Sequence, residues 1–202
     1  MTRRTVAAAG KQTTMAQQNE WLELAAHMEW ADALVWSTTL QSGPARADER
    51  IRGWLHHIHT VQRAFTAIWL GATPDLVSLG SFADPPALAS WGRGAHAGLR
   101  AYLTTADADA LGRTIVLPWA ARAIERHAAV THPTLAETVR QVAMHSMHHR
   151  GQVNARLREL EAEPPLVDYI AWIWRGRPEP MWPRNVALPA APPSAPVVSE
   201  HD

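Results

Sequence analysis

Two histidines carry the first chemical signal in this chain. His145 and His149 stand four residues apart in Met144-His145-Ser146-Met147-His148-His149-Arg150-Gly151-Gln152, inside a long helical pattern. That spacing puts both imidazoles on one helix face, one turn apart. Two such rings bind one metal ion when a third ligand arrives from another helix, and Leu55-His56-His57-Ile58 offers candidates upstream. The chain contains no cysteine. Any metal site is then built from imidazole, carboxylate and water, and any thiol chemistry brings its thiol in as a cosubstrate.

Helical phasing separates neighbouring histidines. Ile51, Trp54, Ile58, Val61, Phe65 and Ile68 form an apolar stripe, and at ~100° per residue His57 sits about 75° from its centre. His57 shares that flank with Trp54, Val61 and Ala64, so it can look inward. His56 and His59 fall with Arg52 and Arg63 in a stripe that reads as solvated. On the later helix the stripe is Leu135, Val139, Val142, Ser146, Val153, Leu157 and Leu160; His149 lies inside it, His145 on its edge, and His148 points away. Imidazoles on a core-facing stripe need polar partners, because burying them unsatisfied is costly. A hydrogen bond or a metal ion would serve. His27 reads as core or surface, and His96, His127, His132 and His201 carry no usable signal.

The elements that must position these rings are helical. The first helix is expected over 14–41, ended by Ser42-Gly43-Pro44. A second starts between Pro44 and Asp48 and stops at Gly71. A third opens on Asp84-Pro85-Pro86, an N-cap followed by Pro at the first position, although Gly92, Gly94 and Gly98 weaken it. Thr114-Ile115-Val116-Leu117 reads as a short strand within an irregular stretch over 107–133. Thr134-Leu135-Ala136-Glu137 is a capping-box pattern opening a fourth long helix to about Glu161, and a short apolar helix follows over 166–174. The reading is all-α: a helical bundle over 14–176, preceded by a disordered extension over 1–13 and followed by an extended tail over 177–202 that contains seven Pro.

Composition sets outer bounds. The 202 residues suffice for one domain with a sizeable core. Acidic and basic residues balance at 19 each, which leaves no broad electrostatic footprint for nucleic acid. No apolar run approaches the ~20 residues needed to cross a bilayer. The lack of cysteine fits a reducing cytoplasm. The ten Trp residues read as packing rather than base stacking.

His145-Ser146-Met147-His148-His149-Arg150-Gly151-Gln152 resembles the H-x-x-H-H-R-G-Q signature of the DinB/YfiT-like superfamily. Trp30-Ala31-Asp32, His57-Ile58 with Val61 and Arg63, and Asp168-Tyr169-Ile170 resemble that family's other motifs in the same order, so the likeness spans residues 16 to 175. The resemblance implies an up-down-down-up four-helix bundle that binds a divalent ion, zinc or nickel first and iron or manganese as alternates, through His57, His145 and His149. It implies an enzyme acting on a small molecule: a transferase or isomerase using a low-molecular-weight thiol, or alternatively a metal-dependent hydrolase of small amides or esters, or a metal-binding stress protein without turnover. It also implies a homodimer. Gln152, Arg150 and Asp32 are the candidate residues around the metal. Gln152 could orient a ligand or be a polar residue on a helix flank. Arg150 could pair with an acid on a neighbouring helix, and Asp32 could accept a ring N–H or pair with an Arg.

Overall fold

Helix boundaries in this chain follow the side chains that cap them. The computed structural model describes residues 3–120 and 131–189, and the elements there are helices α1 (Arg3–Gln41), α2 (Gly43–Ala47), α3 (Glu49–Trp69), α4 (Pro85–Thr105), α5 (Ala108–Gly112), α6 (Leu135–Glu159) and α7 (Tyr169–Trp174), with one 3₁₀ turn at Leu79–Ser81. Asp48 accepts the Ile51 N–H at 2.9 Å to open α3, and Asp84 accepts the Ala87 N–H at 2.8 Å to open α4. Thr134 and Glu137 form the full reciprocal capping box at the start of α6. Gly71, at φ 74, supplies the left-handed turn behind α3.

Several boundaries differ from the sequence expectations. Helix α1 starts at Arg3 rather than near Thr14, reaching into the stretch read as an extension; Ala7-Ala8-Ala9 favours helix, and no Pro before Thr13 ends it, although Gly10 weakens it. The second helical segment is split at Asp48, which ends α2 and caps α3. The last helix begins only at Tyr169. Thr114 to Leu117 is not a strand: Thr114 makes an isolated antiparallel bridge with Thr134. Thr134 already caps α6, so no partner strand can continue the ladder. His127, His201 and the tail beyond residue 189 lie outside the described residues.

Helix α1 packs on α4 and α6, and α3 packs on the same two helices. Along these four helices the buried residues sort into three levels. At one end Trp21, Met28, Phe65, Trp69, Leu99, Leu103, Leu135 and Val142 form an apolar cluster. At the other, Val35, Trp36, Ile51, Leu55, Ile58, Leu88, Val153 and Leu157 form a second. Each fully buried Leu or Ile contributes about 1.5–3 kcal/mol. Between the clusters lies a buried polar level, with Asp32 from α1, His59 and Gln62 from α3, His96 from α4, and Ser146 and Arg150 from α6.

Two glycines that weaken the sequence pattern of α4 have packing reasons. A Cβ on Gly92 would lie 2.3 Å from the His59 ring, and one on Gly94 would lie 2.6 Å from Pro189 and 2.8 Å from the Arg63 guanidinium. Close approach, rather than backbone freedom, requires glycine here. Pro189 belongs to the segment after α7, which is extended and leans on the long helices. Val186 is buried in the second apolar cluster with Trp182 beside it. Trp182 Nε1 donates to Glu29 at 3.2 Å, and Arg93 donates to the Val186 carbonyl at 2.7 Å.

Candidate metal centre

His57, His145 and His149 converge where α3 faces α6. One ring nitrogen from each lies within 4.8 Å of the others. The Nε2 atoms of His57 and His145 stand 3.1 Å apart, close to the ~3.3 Å edge of a tetrahedron with ~2.0–2.1 Å metal–nitrogen bonds. His149 Nδ1 donates to Gln152 Oε1 at 2.6 Å. Since a neutral ring has one N–H, this bond leaves the His149 Nε2 lone pair for a ligand. Gln152, one turn further along α6, thus sets the tautomer of His149.

Two of the rings, His57 and His145, are pushed toward the neutral form. Burial, then the charges of His149, His57 and His148, push His145 down to about 4. Burial, then His149 and His56, lower His57. Neutral imidazole is the ligand form, so His57 and His145 are in the form that binds a cation near pH 7. The site lies at the surface and not in the core: His57 is exposed, and His145 and His149 are half-buried. The inward view expected of His57 is therefore a view across to α6, from the solvent edge of the helix pair.

Beside His145 opens a cavity of about 490 Å³, lined by Val61, Phe65, Leu117, Trp119, Pro133, Glu137, Thr138, Gln141 and His145. Trp119, from the connection between α5 and α6, meets the Phe65 ring edge-to-face at 5.5 Å. The cavity falls within the size range of small-molecule sites, ~300–1,000 Å³.

A second convergence of ligand atoms joins Asp32, His59 and His96, all buried. Here hydrogen bonds already engage both His59 nitrogens, both Asp32 oxygens and His96 Nε2. Trp36 Nε1–H can only donate, so the His59 Nε2 at 2.8 Å accepts. His59 Nδ1 must then carry the proton and donate to Gln62 Oε1, 2.8 Å away. This orients the Gln62 amide, whose Nε2 donates to Asp32 Oδ2 at 2.9 Å and to Ser146 Oγ at 3.2 Å. His96 Nε2 donates to Asp32 Oδ2 at 2.9 Å, and Arg150 Nη1 donates to Asp32 Oδ1 at 2.8 Å. Burial alone would raise the Asp32 carboxyl, but the Arg150 charge and the His96 N–H hold it well below the usual carboxylate range. Burial pushes His59 down to about 4 despite the Asp32 charge. A neutral His59, an ionised Asp32 and a guanidinium contact describe a polar network in which the Asp32 carboxylate is already paired, while His96 Nδ1 is buried without a hydrogen-bond partner among the described residues.

This network revises several sequence readings. His59, expected on a solvated stripe, is fully buried, because α3 is covered on two sides by α4 and α6. His96, without a signal in the sequence, is a partner of Asp32. Asp32 accepts a ring N–H from His96, not from the surface trio, and pairs with Arg150, so both residues belong to the network. His148 is exposed, and His56 donates to the Val77 carbonyl at 2.9 Å. His27 donates to the Val167 carbonyl at 3.0 Å. The sequence cues to the network are Asp32, set in Trp30-Ala31-Asp32-Ala33, and Arg150, read as a partner for an acid on a neighbouring helix; a buried carboxylate demands such partners.

No helix among the described residues is long and apolar enough to cross a membrane. No protein-family model and no curated protein matches this chain.

Proposed function

We propose that this chain is a divalent-metal-dependent enzyme of the DinB/YfiT-like kind, an up-down-down-up four-helix bundle that conjugates a low-molecular-weight thiol to a small electrophile. The observation that carries the reading is the convergence of ring nitrogens from His57, His145 and His149, with His145 also lining a cavity of about 490 Å³. Three protein ligands leave a tetrahedral ion one open position, the pattern of catalytic rather than structural sites. A divalent ion, zinc or nickel, supplies Lewis acidity there and lowers the pKa of a thiol or water. The residues of the chain do the rest. Gln152 fixes the His149 ring so that its Nε2 faces the site. The polar network holds Ser146 and Arg150, each adjacent in sequence to a ligand, and so fixes the turn of α6 that carries His145 and His149. With no cysteine in the chain, the nucleophilic sulfur comes from the cosubstrate.

Metal analysis of untagged protein tests the first half of this reading. Wild type is expected to carry near-stoichiometric divalent metal and His145→Ala/His149→Ala to carry none; equal, negligible metal in both rejects it. Conjugation of a model electrophile tests the second half. Turnover that requires thiol supports transfer, whereas ester turnover without thiol assigns hydrolysis instead.

A further inference from the structure

The cavity beside His145 has a chemical character of its own. Its walls are Val61, Phe65, Leu117, Pro133 and Trp119. Trp119 leaves 41% of its surface exposed and meets Phe65 edge-to-face, its one ring partner among the described residues, so part of this large aromatic side chain is available to a ligand. Of the polar lining, Thr138 is fully engaged: its hydroxyl accepts the Trp69 N–H at 2.9 Å and donates to the Leu135 carbonyl at 2.7 Å. Glu137 is tied to Thr134 through the capping box, which fixes a negative charge at the cavity edge. Gln141 is exposed and lines the cavity. An anionic ligand would meet the Glu137 carboxylate, and no described lining residue carries a positive charge to offset it. An uncharged aromatic ring would instead bury apolar surface against Trp119, Phe65 and Val61 and gain ring–ring contact.

On the metal-site reading above, we infer that this cavity is the substrate subsite and selects electrophiles bearing an uncharged aromatic ring, with Trp119 as the residue that sets the preference. His145 belongs to both the trio and the cavity wall, so a ring seated there brings its reactive substituent to the ligand cluster. Recognition resides in the cavity walls, so binding of the ring is independent of any ion.

The test is equilibrium binding of the fluorescent neutral probe N-phenyl-1-naphthylamine to chelator-treated full-length protein, with 2-naphthol and 2-naphthoate as competitors. Wild type is expected to bind the probe saturably and to prefer the neutral competitor, and Trp119→Ala to lose about tenfold in affinity. Trp119 lies on a connecting segment, and Phe65→Leu, which keeps the core filled, gives a second reading of the same wall. Trp174→Ala, on an exposed Trp of α7 outside the cavity, is expected to bind as wild type. Equal affinity of wild type, Trp119→Ala and Phe65→Leu overturns the inference, as does naphthoate displacing the probe as well as naphthol. Because the metal has been removed, a failure here is separate from a failure to find metal in the purified protein.

Discussion

Acid is the sharpest probe of the buried network, and His59 is where it acts. The ring is fully buried, with Trp36 donating to Nε2 and Nδ1 donating to Gln62. Its pKa falls from an ordinary 6.5 to about 4. The unfolded chain therefore binds a proton below pH 6.5 that the folded chain refuses until about pH 4, and folding stability must fall across that window. Each pH unit between the two values is worth about 1.4 kcal/mol, so His59 alone costs about 2 kcal/mol by pH 5 and about 3 kcal/mol in the limit. That is a large share of the ~5–15 kcal/mol typical of a domain. Urea unfolding of wild type and His59→Asn between pH 7.5 and 4.5 measures it, because the remaining titrating groups cancel in the difference. The Asn amide can still donate to Gln62. The wild-type stability curve is expected to be steeper by about 2.5 kcal/mol over this range, and the ¹⁵N shifts of the His59 ring should remain those of a neutral imidazole at pH 5. Parallel curves for the two proteins, or an imidazolium signature at pH 5, would refute the reasoning.

Three further outcomes follow from the same contacts. Gly53→Ala and Gly92→Ala should move the unfolding midpoint in opposite directions: both gain ~1 kcal/mol in helix propensity, but a Cβ at Gly53 meets nothing within 4 Å whereas at Gly92 it lies 2.3 Å from a ring pinned on both sides. Arg150→Met strands the buried Asp32 carboxylate and should cost about 3–5 kcal/mol in urea unfolding, part of which Asp32→Asn in the same chain restores. Gln152→Leu frees the His149 ring and should weaken metal binding by ~10–100-fold in a competition titration, with little change in the unfolding midpoint.

Much of this arrangement could be read from the chain and some could not, for identifiable reasons. The all-α class and the caps at Asp84 and Thr134 are local: a short side chain before a periodic apolar run needs only its own first turn to act. The His145/His149 pair is likewise a matter of one helix face, and the structure brings His57 to it from α3. His59 escaped because a single-stripe reading assumes one buried face, while α3 is covered by both α4 and α6 and its buried arc extends past the stripe into positions that pattern with Arg52 and Arg63. His96 escaped because its partner, Asp32, is 64 positions away. The Thr114 segment misled because a β-rich tetrapeptide says nothing of whether a second strand exists to pair with it.

The polar level between the two apolar clusters also bears on how the chain finds its fold. Sliding any one of the four long helices by a turn, ~5.4 Å, would set leucines against Asp32 and Arg150 and leave buried hydrogen-bonding groups empty, at several kcal/mol for the mismatch. Competing compact states with a shifted helix are thereby disfavoured, and the native register stands alone at the bottom of the landscape. His57 lies two residues before His59, and His145 and His149 each precede a network residue. Once the inner partners have met, the outer rings face one another without needing any attraction of their own. A cation is therefore not needed to organise the trio: the interior fixes the three rings in advance, and the residues around them at the surface can vary without disturbing the fold.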